Sequence, residues 1–286
     1  MTIQWFPGHM AKAKRILKKN LKMVDIVLEL LDARIPYSSS NPDLDKLVEG
    51  KQRITILNKK DLANPGITQQ WVEHLGQQNP TFAVDTLTGH GLKDVMKEVQ
   101  KEADKINSKL EEKGRNPRDI RLLIMGIPNV GKSALINKIS GRSSARVGNK
   151  PGVTRGKQWI KVKKGLQLLD SPGILWPRFE SEEVGLKLAT TGAVRSEVFD
   201  EERVAFFLVQ WIMDIAPDKL AEFFGIELER DAYETMLAIG RRRGFLQSGG
   251  RVKIEQTSQM ILKEFRDGRI GQISLERPGE VGNDES

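Results

Sequence analysis

Between Gly126 and Ser133 the chain reads Gly-Ile-Pro-Asn-Val-Gly-Lys-Ser, a G-x-x-x-x-G-K-S phosphate loop. Such a loop constrains the fold because it works only between the end of a strand and the start of a helix. The flanks comply: Ile120 to Met125 is an apolar, strand-like run, and Lys132 to Ile139 reads as a helix. A second element, Asn58-Lys59-Lys60-Asp61, has the N-K-x-D form of a guanine reader and comes before the phosphate loop. The usual order is the reverse, so the order of the parts carries as much information as the parts.

Around these motifs, β-like runs alternate with helical ones, the pattern of a parallel sheet with crossover helices. Strands are expected at Val24 to Leu31, Arg53 to Leu57, Thr81 to Val84, Ile120 to Met125, Gln158 to Val162 and Leu166 to Leu169. Helices are expected at Thr68 to Leu75, Leu92 to about Leu110 and Lys132 to Ile139. From Phe179 the pattern turns helical, with segments at Val184 to Thr191, Glu202 to Met213, Asp218 to Phe224, Arg230 to Arg242 and Gln256 to Asp267. The expected architecture is an α/β domain over residues 1–177, its mostly parallel sheet flanked by helices. It includes a basic N-terminal segment, 1–23, and is followed by an all-α domain over 178–286 with a flexible tail from Arg277.

Composition excludes several classes. The 286 residues hold no cysteine, which removes disulfides, thiolate catalysis and Cys-based zinc sites. No apolar run approaches the ~18 residues that cross a bilayer, and Met1 to Lys22 lacks the form of a secretory signal. A cytoplasmic protein with no membrane partner is expected. The net charge of +8 favours a polyanionic partner. Six basic residues and no acidic one lie between Lys12 and Lys22, with Ile16, Leu17 and Leu21 among them. That spacing describes an amphipathic helix whose polar face is either simply solvated or a nucleic-acid contact, and Arg241-Arg242-Arg243 adds to the second reading.

The chemistry follows from the motifs. Gly126 and Gly131 let the backbone wrap around phosphate oxygens, and the N–H groups of Asn129, Val130, Gly131 and Ala134 are available to them. Lys132 supplies charge near the β and γ phosphates, and the Ser133 hydroxyl is a magnesium ligand. Asp170-Ser171-Pro172-Gly173 fits the D-x-x-G element: Asp170 for magnesium, the Gly173 N–H for the γ phosphate. Thr154 is the candidate switch threonine, also toward magnesium. In the base reader, the Asp61 carboxylate suits the N1–H and exocyclic amine of guanine. Lys59 would lay its aliphatic stem over the base, Lys60 belongs to the same loop, and Asn58 would tie it to the phosphate loop. Thr86 and Leu87 stand where a last base-contacting loop belongs.

The chain resembles the circularly permuted GTPases of the YlqF/RbgA family of ribosome-assembly factors. Trp5 to Met10, Asp32-Ala33-Arg34-Ile35-Pro36, Asn58 to Asp61, Gly126 to Ser133, Pro151 to Thr154 and Asp170 to Trp176 carry the resemblance, which spans nearly the whole chain. It implies a GTP-dependent role in maturing the large ribosomal subunit, with ribosomal RNA and ribosomal proteins as partners. A monomer is expected away from the ribosome.

One position departs from common GTPases. After D-x-x-G, where a glutamine often orients the attacking water, stands Ile174, which neither donates to nor accepts from water. His9 is the candidate substitute, and a surface or RNA-contacting histidine is its alternative. Asn129 resembles the phosphate-loop asparagine of potassium-activated GTPases, which makes K⁺ a candidate second cofactor; a simple loop-stabilising amide is the other reading. Two functions remain in contention. One is a GTPase stimulated by the ribosomal particle, with catalysis by His9, Lys132, Thr154 and Gly173. The other is a GTP-gated RNA-binding scaffold with little hydrolysis of its own. No modification-site residues point to an enzyme of transfer RNA.

Overall fold

A computed structural model describes residues 15, 19–42, 47–48, 50–141, 159–169, 181–194 and 199–280. His9, Thr154, Asp170, Gly173 and Ile174 lie outside these, as does most of the expected basic helix. The chain forms two units. One contains Gln4–Lys60, Pro65–Pro177 and Glu276–Ser286; the other contains Asp61–Asn64 and Arg178–Leu275.

The first unit is built on a six-stranded sheet. Its strands are β1 (Ile26–Asp32), β2 (Gln52–Asn58), β3 (Thr81–Val84), β4 (Ile120–Met125), β5 (Trp159–Lys163) and β6 (Leu166–Leu169). They lie in the order β3-β2-β1-β4-β6-β5. Every pairing is parallel except β5 with β6, a hairpin at the sheet edge. β1 sits in the centre and is buried along its whole length. Its near-continuous apolar run is what a strand covered on both faces requires. Of its two polar residues, Glu29 and the terminal Asp32, Glu29 is buried beside Arg53, whose Nε lies 3.7 Å from it. Beneath this region, Leu21, Val24, Val27, Val48, Leu123, Met125 and Leu169 form one apolar cluster.

The connections are helical: α1 (Pro36–Ser39), α2 (Pro65–Gly76), α3 (Leu92–Glu111) and α4 (Lys132–Ser140). From β1 the chain moves outward through β2 to β3. From β4 it moves the other way to β6. The four parallel strands β1 to β4 therefore end at one edge, where the sheet changes direction, and open α/β sheets bind ligands at such an edge. Asp32, Asn58, Asp85 and Gly126 all stand at or just beyond strand ends on that edge.

The second unit carries α5 (Glu182–Thr190), α6 (Glu201–Ile215), α7 (Pro217–Phe224), α8 (Ala232–Arg242) and α9 (Ile254–Arg266). Three of these helices start on a side-chain cap. Ser181 Oγ accepts from Val184 N, Asp200 from Glu202 N, and Asp231 from Glu234 N. Val204, Leu208, Ile212, Met236, Ile239, Ile261, Leu262 and Phe265 are buried, on the inward faces of their helices. Within this unit the Asp61–Asn64 segment pairs with the chain after α9. Ile273 N donates to Leu62 O at 3.0 Å, and Asn64 N to Ser274 Oγ at 3.1 Å.

Most expected boundaries lie within two residues of the observed ones. The short helix α1 is additional, and Arg277 to Glu280, expected to be flexible, make a turn in which Glu280 N donates to Arg277 O at 3.3 Å.

Candidate nucleotide-binding site

The phosphate loop runs from the end of β4 into α4. Gly126 packs so closely on β1 that a Cβ there would sit 2.4 Å from Leu30 O. Gly131, at φ 106°, caps α4, and a Cβ on it would meet Asn58 Nδ2 at 2.3 Å. Asn129 also has a positive φ, 59°, a conformation asparagine tolerates better than most residues. Two left-handed residues this close, followed by a helix N-terminus, turn backbone N–H groups toward one concavity, the arrangement that binds anions. Lys132 is buried, and its Nζ donates to Gly126 O at 3.1 Å and to Ile127 O at 2.7 Å. Its charge thus lies within the loop rather than on the outer face of α4. Ser133 and Ala134 follow in the first turn.

Asn58 joins three segments. Its Nδ2 donates to Val130 O at 2.7 Å, inside the phosphate loop. Its Oδ1 accepts from Thr86 N at 3.3 Å and from the Thr86 hydroxyl. One buried amide therefore ties the Asn58 loop, the phosphate loop and the Thr86 loop together. Ala33 N donates to Asn58 O at 2.8 Å, fixing the same corner from β1.

The Thr86 loop is ordered by Asp85. Its carboxylate accepts from Leu87 N at 2.8 Å, Thr88 N at 3.3 Å and Thr88 Oγ1 at 2.5 Å. Burial would raise the Asp85 pKa, but the hydrogen bonds from Thr88 and Leu87 and the charge of Lys60 outweigh it and hold the carboxyl below its usual range. Leu87 is 78% exposed, an apolar side chain left in solvent beside a polar loop. Lys60 Nζ meets His90 Nδ1, and Lys60 N donates to Val84 O at 3.2 Å. Asp61 opens the segment grouped with the helical unit, where its carbonyl accepts from Gln272 Nε2 at 3.1 Å.

Lys59 has a positive φ, 61°, and its Nζ lies 3.0 Å from Asp32 Oδ2. The Asp32 carboxylate is fully buried and is also gripped by Arg34, Nε to Oδ1 at 2.9 Å and Nη2 to Oδ2 at 2.8 Å. Burial opposes its charge; Arg34 and Lys59 overcome that and hold the carboxyl far below the usual carboxylate range. The sequence marks Asp32-Ala33-Arg34 as a motif but attaches no role to it.

Of the residues expected at the site, Asn58, Thr86, Val130 and Gly131 meet through the Asn58 side chain, and Lys132 is folded into the same loop. His9, Thr154, Asp170 and Gly173 are outside the described residues. Among the described residues no cluster of three His, Asp or Glu has the form of a metal cage. None of their helices is long and apolar enough to cross a membrane. Magnesium fits the donors nonetheless: it takes few protein ligands and shares the rest with phosphate and water, and a lone hydroxyl beside a phosphate cradle is such a set.

Comparison with known proteins agrees with this geometry. The model of the 50S ribosome-binding GTPase family matches residues 121–232. Ribosome biogenesis GTPase A of Priestia megaterium is 44% identical over 284 residues, covering 98% of this chain and 99% of its own length. The protein of that name from Thermotoga maritima is 33% identical over 279 residues, covering 98% of this chain and 96% of its own. The crystal structure of GNP-bound YlqF from T. maritima superposes with a TM-score of 0.67 at 30% identity, covering 94% of this chain and all of that one.

Proposed function

The chain belongs to the ribosome biogenesis GTPase A family, and we propose that it acts as a GTP-driven switch late in assembly of the large ribosomal subunit, hydrolysing fastest on the particle. GTPase activity and a place in ribosome biogenesis come with the family. The order of the switch and its stimulation by the particle are our reading. The observation that supports it is Asn58, whose side chain bonds the phosphate loop and the Thr86 loop at once and would thereby couple base reading to phosphate holding.

In this reading the N–H groups of Val130, Gly131 and Ala134 hold the inner phosphates while Lys132 offsets charge on the β and γ groups. Asp61 reads guanine, flanked by Lys59, Lys60, Thr86 and Leu87. Ser133, Thr154 and Asp170 would hold magnesium, which when bound would neutralise phosphate charge. Thr154 and the Gly173 N–H respond to the γ phosphate, and its loss releases both loops. His9 orients water in place of the absent glutamine, and Asn129 would hold K⁺ where other systems place an arginine. The motif loops carry the chemistry, and the helices after Arg178, continuing in sequence from the Asp170-to-Gly173 switch, contact ribosomal RNA.

The test is GTP turnover with and without large ribosomal subunits, in matched K⁺ and Na⁺ buffers. Saturable stimulation by the particle, lost in His9→Ala at unchanged GTP binding and weaker in Na⁺, is expected. Unstimulated turnover would favour the second reading, a GTP-gated scaffold, to which Ile174 already gives weight. Equal rates in the two salts would remove K⁺, and a normal His9→Ala rate would remove His9.

A further inference from the structure

Asp32 is an acid buried at the mouth of the candidate site with no part in the chemistry above. It is 1% exposed, as is Arg34, so neither presents itself to a nucleotide. Yet the carboxylate sits at the end of β1 beside the end of β2, since Asp32 and Asn58 are register partners. Three donors on Arg34 occupy it: Nε, Nη2 and the backbone N, the last at 3.1 Å. The remaining approach to Oδ2 is taken by the Lys59 ammonium at 3.0 Å. Lys59 is also held in a left-handed backbone conformation that a long side chain rarely adopts.

We infer that Asp32, held rigid by Arg34, is a positioning residue for guanine recognition: it anchors the Lys59 ammonium so that the aliphatic stem is fixed as a ledge for the base. The inference rests on the base-reading role of the Asn58-to-Asp61 loop. Lysine stems are flexible and lose much side-chain entropy when ordered. A pinned end removes that cost before the nucleotide arrives, and preorganisation of this kind shows mainly in the dissociation rate. The anchor is itself braced: Asp32 N donates to Ser39 Oγ at 3.0 Å, so α1 fixes the strand end carrying it.

The test is a double-mutant cycle on the full chain, read by stopped-flow dissociation of a fluorescent GDP with urea unfolding in parallel. Lys59→Met keeps the stem and removes the charge. Asp32→Asn is expected to speed GDP release about tenfold when Lys59 is present, and by less than twofold in the Lys59→Met background. Equal acceleration in both backgrounds, or none with Lys59 present, overturns the inference, since a merely structural acid would not depend on Lys59. If Asp32→Asn does not fold, Arg34→Lys serves instead; it loosens the grip without removing the anchor, and the same dependence on Lys59 is required. Asp61→Asn tests the underlying reading separately. If it leaves the preference for GDP over ADP unchanged, the base-reading role falls and the inference with it. If it abolishes that preference while Asp32→Asn has no effect, only the role of Asp32 falls.

Discussion

At the residue scale, the site depends on places where a side chain cannot fit, and Gly131 is one of them. A Cβ there meets Asn58 Nδ2 at 2.3 Å, and its φ of 106° is strained for any L side chain. Gly131→Ala should therefore push Asn58 away and deform the phosphate loop. Nucleotide binding is expected to weaken roughly 30-fold or more, from a left-handed penalty of about 1–2 kcal/mol plus the displaced contact. Gly141, at the other end of α4, is the control: its φ is 63° but a Cβ meets nothing within 4 Å. Gly141→Ala should cost about 1 kcal/mol in urea unfolding and leave nucleotide affinity intact. Equal loss of affinity in both variants would show that α4 as a whole, not the Asn58 contact, governs binding.

At the element scale, two ties hold the sheet unit at points the local pattern does not announce. Asp25, just before β1, accepts from Arg118 Nη1 at 2.8 Å, Arg118 Nη2 at 2.7 Å and Arg121 N at 2.9 Å, joining the approach to β4 to the central strand. Burial would raise its pKa, but the Arg118 and Arg121 hydrogen bonds outweigh it and the carboxyl is lowered. A lowered folded pKa means stability that is present above the unfolded value of about 3.9 and lost as pH falls below it. Since Arg118 is half exposed, Asp25→Asn should cost only about 1 kcal/mol at pH 6. The gap to the parent should close as urea curves are taken down to pH 3, and a gap independent of pH would refute the charge account.

The second tie comes from the far end of the chain. Glu276 is buried, and its carboxylate accepts from Tyr37 N at 2.8 Å, Ser38 N at 3.1 Å and the Ser38 hydroxyl, capping the start of α1. Trp71 Nε1 donates to its carbonyl at 3.1 Å. Removing the carboxylate leaves several buried donors unpaired, so Glu276→Ala should lower stability by about 2–4 kcal/mol, and Glu276→Gln, which keeps one acceptor, by less. Thermal unfolding would show the pair in that order; equal melting temperatures for both variants and the parent would mean that water replaces the cap.

These ties mark the limit of what the sequence makes legible. β1, β4 and the phosphate loop are readable because continuous apolar runs and glycine spacing are local signals. The inverted order of Asn58 to Asp61 and Gly126 to Ser133 is readable for the same reason. Glu276 is not, because its partners lie more than 200 residues away and a lone glutamate near a polar tail has no periodicity. Asp32-Ala33-Arg34 falls between: its residues stand out, but the Lys59 partner follows only from the register of β1 against β2. Asn58 as a link to Val130 is readable from its motif; its second bond, to Thr86, needs the parallel order of β2 and β3.

At the scale of the whole molecule, the order of the parts has a mechanical consequence. With Asn58 to Asp61 first and the phosphate loop later, the Asp170-to-Gly173 segment, in the proposed role of a switch, would be the last motif before the helical unit begins at Arg178. If that segment responds to the γ phosphate as proposed, its change would pass to the helical unit along a short covalent connection. Binding to a particle rich in RNA should accordingly depend on the nucleotide as well as on charge. The excess of 46 basic over 38 acidic residues attracts phosphate whichever nucleotide is bound, and this share of the affinity falls steeply with salt. The nucleotide-dependent share should not. Co-sedimentation with large ribosomal subunits is therefore expected to weaken for both states between about 50 and 200 mM salt, by about tenfold or more if several phosphates are contacted. The ratio of retention between a non-hydrolysable GTP analogue and GDP should hold steady or grow over the same range. A ratio near one at every salt concentration would mean that the γ phosphate does not reach the particle-binding surface, and the switch would then act on hydrolysis alone.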